Sequence, residues 1–341
     1  VCTFEVTVED NETPEALCQD VTVQLDAAGA GSTTATAVDN ASNDACGIAS
    51  LALSQTDFVC SEVGTVAVVL TVTDVNNNVS TCDATVTVED NVAPEALCQD
   101  VTVELDANGE GSTTAAAVDN GSNDACGLAT LALSQTAFDC TNVGTVAVVL
   151  TVTDVNNNVS TCDATVTVED NVAAEALCQD VTVQLDAAGA GSTTATAVDN
   201  ASNDACGIAS LALSQTDFVC SEVGANAVVL TVTDNSNNET TCDAVVTVED
   251  NLAPVMTCPD VTINLDPGFC GTIVTYEVDA TDNCGVASNV LVSGPASGDY
   301  LDYHDSSWDV LWEAIDVNGA REKNVNINDF LPHKSPWVPY L

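Results

Sequence analysis

One segment of this chain is copied almost unchanged three times, and that feature limits the fold more than any other. Glu15-Ala-Leu-Cys-Gln-Asp-Val-Thr-Val returns at Glu95 and Glu175, and Asn43-Asp-Ala-Cys-Gly returns at Asn123 and Asn203, always at an offset of 80. Positions 11–90 and 171–250 differ at only 10 places. A diverged fourth copy follows, with Asp282-Asn-Cys-Gly and Asp316-Val-Asn-Gly at matching places. Period-locked self-similarity of this kind marks an array of like structural units. The expected division is 1–10 as the end of a preceding module, then modules at 11–90, 91–170, 171–250 and 251–328, then a tail at 329–341. On this reading the chain begins inside a module and is a mature or internal fragment of a secreted protein.

Within a copy the apolar period is two. Val21, Val23 and Leu25 alternate with Thr22, Gln24 and Asp26, and Val66, Val68, Leu70 and Val72 alternate with Ala67, Val69, Thr71 and Thr73. Val86 and Val88 alternate with Thr85 and Thr87. Clusters of Gly, Asn and Asp separate these runs, and no helical period is evident. Short strands punctuated by turns predict an all-β fold of tandem immunoglobulin-like antiparallel β-sandwich modules in a linear array. A closed barrel is the alternative; a solenoid is disfavoured because its rungs are shorter.

Each sandwich is small and has one aromatic in its body, at Phe58, Phe138 or Phe218, so covalent staples are expected. The sixteen cysteines point to disulfides and an oxidising, extracellular compartment. Cys18 opens the first strand of a module and Cys82 the last, strands that run side by side and parallel in such a sandwich. The expected pairs are Cys18–Cys82, Cys98–Cys162 and Cys178–Cys242, with Cys46–Cys60, Cys126–Cys140, Cys206–Cys220 and Cys270–Cys284 as local bridges. A rival scheme joins neighbouring modules through Cys2–Cys18, Cys82–Cys98, Cys162–Cys178 and Cys242–Cys258 and leaves no odd cysteine among them.

Charge narrows the function classes. The chain has 52 acidic residues against three basic ones (Arg321, Lys323 and Lys334), a formal net charge of -49. No nucleic-acid footprint exists, and anionic membranes would be repelled. The longest aliphatic runs, such as Val66 to Leu70, are too short to span a bilayer. With no Lys or Arg before Arg321 and His304 the sole histidine there, nucleophilic and His-zinc chemistry are excluded over most of the length. A non-enzymatic role is expected. Asn-x-Ser/Thr sequons such as Asn40, Asn120 and Asn200 carry weight only in a eukaryotic secretory host.

The order Cys18-Gln-Asp-Val-Thr-Val, Asn43-Asp-Ala-Cys-Gly, Phe58-Val-Cys-Ser-Glu-Val-Gly and Thr73-Asp-Val-Asn-Asn-Asn-Val-Ser-Thr-Cys resembles the hyalin repeat over about residues 1–320. That resemblance implies immunoglobulin-like extracellular modules, of the kind found in matrix proteins and in giant bacterial surface adhesins, including type IX-exported adhesins of gliding cells. Asn77 stands where the family usually has Gly in its turn, a change Asn tolerates because it enters left-handed backbone. The tail from Asp329, which includes Trp337, has no counterpart in the array.

The carboxylates are the candidate chemistry, since a hard cation such as calcium takes about six to eight oxygen ligands. Glu89, Asp90 and Asn91 mark the first full junction, with Glu169, Asp170 and Asn171 and then Glu249, Asp250 and Asn251 at the next two. Asp74, Asn76 and Asn78 alternate in a turn, and Asp39 and Asp44 lie in another loop. Asp and Asn are also ordinary turn formers. The overall expectation is a non-catalytic stalk or filament at the cell surface, disulfide-stapled and calcium-stiffened, supporting attachment or gliding. Its partners would be an extracellular surface, a glycan or a protein, reached through other parts of a longer chain. The alternatives are repeats that themselves bind glycan or protein, and self-association into a filament, matrix or sheath.

Overall fold

The computed structural model describes residues 2–257, 263–264, 267–293, 296–302, 311–319 and 321–326. Two compact units are formed, Val1–Asn171 and Val172–Leu341. The expected all-β architecture is present, and no helix among the described residues is long and apolar enough to cross a membrane.

The first copy contains β1 (Val21–Gln24), β2 (Ala30–Ser32), α1 (Ala35–Val38), β3 (Ile48–Leu53), β4 (Asp57–Val59), β5 (Gly64–Asp74) and β6 (Val79–Glu89). One sheet has the order β1-β6-β5-β3 and the other pairs β2 with β4. β1 runs parallel to β6 in the register Val21↔Val86 to Gln24↔Glu89, while β5 and β6 form a long antiparallel ladder. The strand alternation read from the sequence is the burial pattern: Val68, Leu70, Val72, Val86 and Val88 are all at most 1% exposed. They pack in one cluster with Val23, Leu25, Val38, Ala84 and Phe58, the last contributed by the smaller sheet.

α1 is a single helical turn, too short to leave a periodic signal. Thr34 caps it by accepting from the Ala37 N–H at 3.2 Å, and Val38 anchors it in the core with no exposure.

The second copy repeats these elements as β7 (Val101–Glu104), β8 (Glu110–Ser112), α2 (Ala115–Val118), β9 (Leu128–Leu133), β10 (Ala137–Asp139), β11 (Gly144–Asp154) and β12 (Val159–Glu169). The third has β13 (Val181–Gln184), β14 (Ala190–Ser192), α3 (Ala195–Val198), β15 (Ile208–Leu213), β16 (Asp217–Val219), β17 (Gly224–Asp234) and β18 (Glu239–Glu249). Their sheet orders match those of the first copy. In the diverged copy, β19 (Val255–Thr257) pairs with β21 (Asp279–Thr281), and β20 (Gly271–Ile273) pairs with β23 (Tyr300–Asp302). There β22 (Val286–Ser293), β24 (Leu311–Asp316) and β25 (Arg321–Asn326) form a third sheet. Cys258 and the tail 329–341 lie outside the described residues.

The disulfides divide into two kinds. Cys18–Cys82, Cys98–Cys162 and Cys178–Cys242 close within a copy, each with Cα atoms 5.9 Å apart. The parallel β1–β6 pairing explains the first: Cys18 lies just before β1, and Cys82 lies on β6 just before the segment that β1 pairs with. These bonds exclude Cys2–Cys18, Cys82–Cys98, Cys162–Cys178 and Cys242–Cys258. The second kind joins successive copies, through Cys60–Cys126 and Cys220–Cys284.

The local bridges expected from the sequence are therefore corrected. Cys46–Cys60 and Cys126–Cys140 are absent because Cys60 and Cys126 are bonded to each other, and Cys206–Cys220 and Cys270–Cys284 are absent because Cys220 is bonded to Cys284. Cys140 and Cys206 are disulfide-bonded as well, whereas Cys46 and Cys270 are free and exposed. The cause is placement at opposite ends of a module. The Cys46 loop stands near Asp10, at the entry end, whereas Cys60 stands beside Gly29, just past the β1 terminus that pairs with Glu89 at the exit end. Gly29 has φ +73°, and a Cβ there would strike the Cys60 sulfur and lie 3.3 Å from the Cβ of Ala125 in the next copy. Glycine is what lets this turn reach its neighbour.

Candidate cation site at the module junction

The three ligand groups read from the sequence have different fates. Asp74 is fully buried, yet its carboxylate is used by its own turn. Oδ1 accepts from the Asn76 and Asn78 N–H groups, both at 2.8 Å, and Oδ2 accepts from Asn78 Nδ2 at 2.8 Å. Asn77 sits at the tip with φ +73°, the left-handed position expected for it. Asp39 accepts from the Ser42 N–H at 3.0 Å and fixes the loop after α1. Both oxygens of Asp74 are thus taken up by its own turn.

Glu89 and Asn91 are exposed and bound to a side chain of β1. Gln24 Nε2 donates to Glu89 at 2.7 Å, and Asn91 Nδ2 donates to Gln24 Oε1 at 2.6 Å. Gln184, Glu249 and Asn251 repeat that arrangement with bonds of 2.6 Å. In the second copy Glu104 replaces the glutamine and stands beside Glu169, and Asn171 Nδ2 donates to Glu169 at 3.4 Å. These groups tie the end of the first strand to the end of the last.

Asp90 differs from its neighbours in sequence. Only 6% of it is exposed, and Asp170 and Asp250 are similarly buried. Its backbone carbonyl accepts from Asn158 Nδ2 at 3.0 Å, which anchors the junction to the 154–158 turn of the following copy. Its Oδ1 accepts from the Val92 N–H at 3.1 Å, but its Oδ2 is buried with no hydrogen-bond partner. Oxygens of Asp90 and Asp124 lie within 4.8 Å of each other and of Cys126 Sγ. The same grouping joins Asp10, Asp44 and Cys46 in the first copy. The junction and loop candidates, Asp90 and the Asp44 type, thus belong to one cluster rather than two sites. Sequence reading did not single out Asp10 or Asp124; the repeat offset from Asp90 and Asp44 was the available signal.

Electrostatics follow from this crowding. Asp10 beside Cys46, with Asp44 and Asp74 nearby, pushes the Cys46 thiol above its ordinary value. Several turn carboxyls move the other way. Burial pushes Asp74 up, but the bonds from Asn78, Asn76 and Asn77 outweigh it and hold the group below the usual aspartate value. Backbone N–H groups of Glu110 and Asn108 lower Asp106, those of Ala190 and Ala188 lower Asp186, and Thr141 lowers Asp139. A carboxyl depressed on folding contributes stability that is present above its unfolded value and lost as pH falls through the folded one. Melting temperature should therefore hold steady from neutrality to about pH 5 and drop below about pH 4. A melting temperature that rises on acidification below pH 4 would contradict this assignment.

No protein-family profile and no curated protein matches the chain. Among solved structures it is similar to protocadherin gamma B7 extracellular cadherin domains 1–4, at 15% identity and TM-score 0.28 over 80% of this chain and 90% of that one. The protocadherin gammaB7 EC3-6 cis-dimer structure gives 13% identity and TM-score 0.33, covering 91% and 98%. Mouse cadherin-23 EC22-24 gives 12% and 0.32, covering 70% and 100%. Superpositions of this quality transfer no site or partner to this chain.

Proposed function

We propose that the chain is part of the stalk of a large extracellular adhesin, built from non-catalytic spacer modules at 11–90, 91–170, 171–250 and 251–328. The observation that carries this reading is the pairing of Cys60 with Cys126 and of Cys220 with Cys284, which adds a second covalent connection between successive copies, the diverged one included. A protein that works through separate domains has little use for such bonds, whereas a spacer that must hold its copies in fixed register does. Disulfides in this number suit an oxidising exterior, and near-identical copies supply length rather than distinct surfaces. Hard cations taken up between modules would add to the coupling. The resemblance to hyalin repeats of gliding-cell adhesins makes surface attachment or gliding the process served.

Small-angle scattering of the oxidised and the fully reduced chain tests the stalk. The oxidised chain should give a maximum dimension that grows by a constant increment with each module added, and reduction should broaden the distance distribution. A compact, globule-like profile in the oxidised state would overturn the reading. Tight, selective binding of the repeats to arrayed glycans would replace it with a binding-module function.

A further inference from the structure

The buried oxygen of Asp90 has a physical problem to solve. An unpartnered buried carboxylate oxygen forfeits its hydration without a compensating bond, and Asp90 faces a second carboxylate, Asp124, within 4.8 Å. Asp124 Oδ1 is held by the Cys126 and Gly127 N–H groups at 2.8 and 3.2 Å. Charge repulsion across this gap is not relieved by any Lys or Arg, since none precedes Arg321. Asn156 Oδ1, on the turn whose Asn158 clasps the Asp90 carbonyl, is a second buried oxygen without a partner. Asp90 and the 154–158 turn that clasps it thus each carry a buried oxygen without a partner.

In the diverged copy the carboxylate at this place is met by amides. Asp250, at the place of Asp90, is 7% exposed, and its two oxygens accept from Asn283 Nδ2 at 3.1 Å and Asn318 Nδ2 at 3.0 Å. Asn283 stands where the second copy has Ala125, and Asn318 stands where it has Asn156. Asn283 Nδ2 also reaches the Asp186 carbonyl of the preceding copy at 3.0 Å. Donors that are protein groups at this junction have no counterpart at Ala125, which has no side-chain N–H to give.

We propose that Asp90 and Asp124, with Asn156, form a calcium-type divalent cation site at the junction of the first two full modules, beside the Cys60–Cys126 bond. Backbone carbonyls and water complete the coordination shell, as oxygen-ligated calcium requires. Asp10 and Asp44 form the equivalent pair one repeat earlier, whereas both oxygens of Asp250 already accept from asparagine amides. This assignment extends the cation part of the stalk reading and is measured apart from it, because ion binding and particle length are separate observables.

Calorimetric titration of the full oxidised chain with calcium in 150 mM salt tests the site. The native chain should bind a small integral number of ions, and Asp90→Asn should lose one equivalent. Asp124→Asn, which keeps the shape of the loop, should lose the same one. Asp163→Asn, an exposed β12 carboxylate outside the cluster, should lose none, and circular dichroism in chelator should show all three variants folded. The thermal transition of the native chain should rise with calcium and that of Asp90→Asn should rise less. Absence of saturable binding would overturn the proposal. So would an unchanged number of bound ions in Asp90→Asn and Asp124→Asn, which would mean diffuse attraction to the acidic surface only.

Discussion

Replacing Cys98 and Cys162 together with alanine should unfold the second module while the others keep their transitions. The bond they form has a sequence separation of 64, and a loop of that size is worth about 4 kcal/mol on the chain-entropy account. A domain of this size has total stability of the same order, and each kcal/mol moves the melting temperature by about 4–8 °C. Scanning calorimetry of the full chain should therefore show one transition displaced downward by tens of degrees or lost. Limited proteolysis should cut first within β9 to β12, since the first module retains Cys18–Cys82. A double variant whose thermogram superimposes on that of the native chain would show that the β-sandwich core alone sustains the module.

Phe218→Ala is expected to have a comparable effect by another route. Phe218 is 1% exposed and is the largest side chain in a cluster otherwise made of Val, Leu and Ala, with Val198, Leu230, Val232 and Val246 entirely buried. It projects from the two-stranded sheet β14–β16 and provides most of that sheet's apolar volume in the core. Truncating a buried phenylalanine typically costs about 3–5 kcal/mol, because the cavity cannot be refilled by short neighbours. Phe218→Leu should cost about 1.5 kcal/mol or less if the site repacks. Urea titration monitored by circular dichroism gives both numbers. Equal losses for the alanine and leucine variants would mean that the ring's volume is not what the core uses.

These two cases also show what the sequence could reveal and what it could not. The alternation of Val and Leu with Thr in the strands announced the burial of Leu70, Val72 and Val86, because a strand exposes successive side chains to opposite faces. The same pattern placed Cys18 ahead of the first strand and Cys82 in the last, so their proximity followed from one parallel pairing. The second bond was hidden by the repeat itself. Cys46 and Cys126 occupy identical local sequences, so nothing near Cys60 distinguishes a bond to its own copy from one to the next. The fourth copy held a clue: Cys284 is retained although no cysteine follows it at the place of Cys60, as the last acceptor in such a series would require. Cation ligands were legible by type but not by grouping. Asp74 is as prominent in the sequence as Asp90, and only the turn hydrogen bonds show that its oxygens are already spent.

The disulfide pattern has a mechanical consequence. When the first unit is pulled along its backbone, Cys18–Cys82 and Cys98–Cys162 carry the load past the loops they close. Each bypassed loop has a sequence separation of 64 and would otherwise release roughly 210 Å of extended chain on unfolding. Only the stretch from Cys82 to Cys98 remains in series between them, and Cys60–Cys126 spans that stretch from outside. A tether built this way transmits force with almost no spare length to pay out. Its extensibility is set by the redox state of its sulfurs rather than by the stability of its folds.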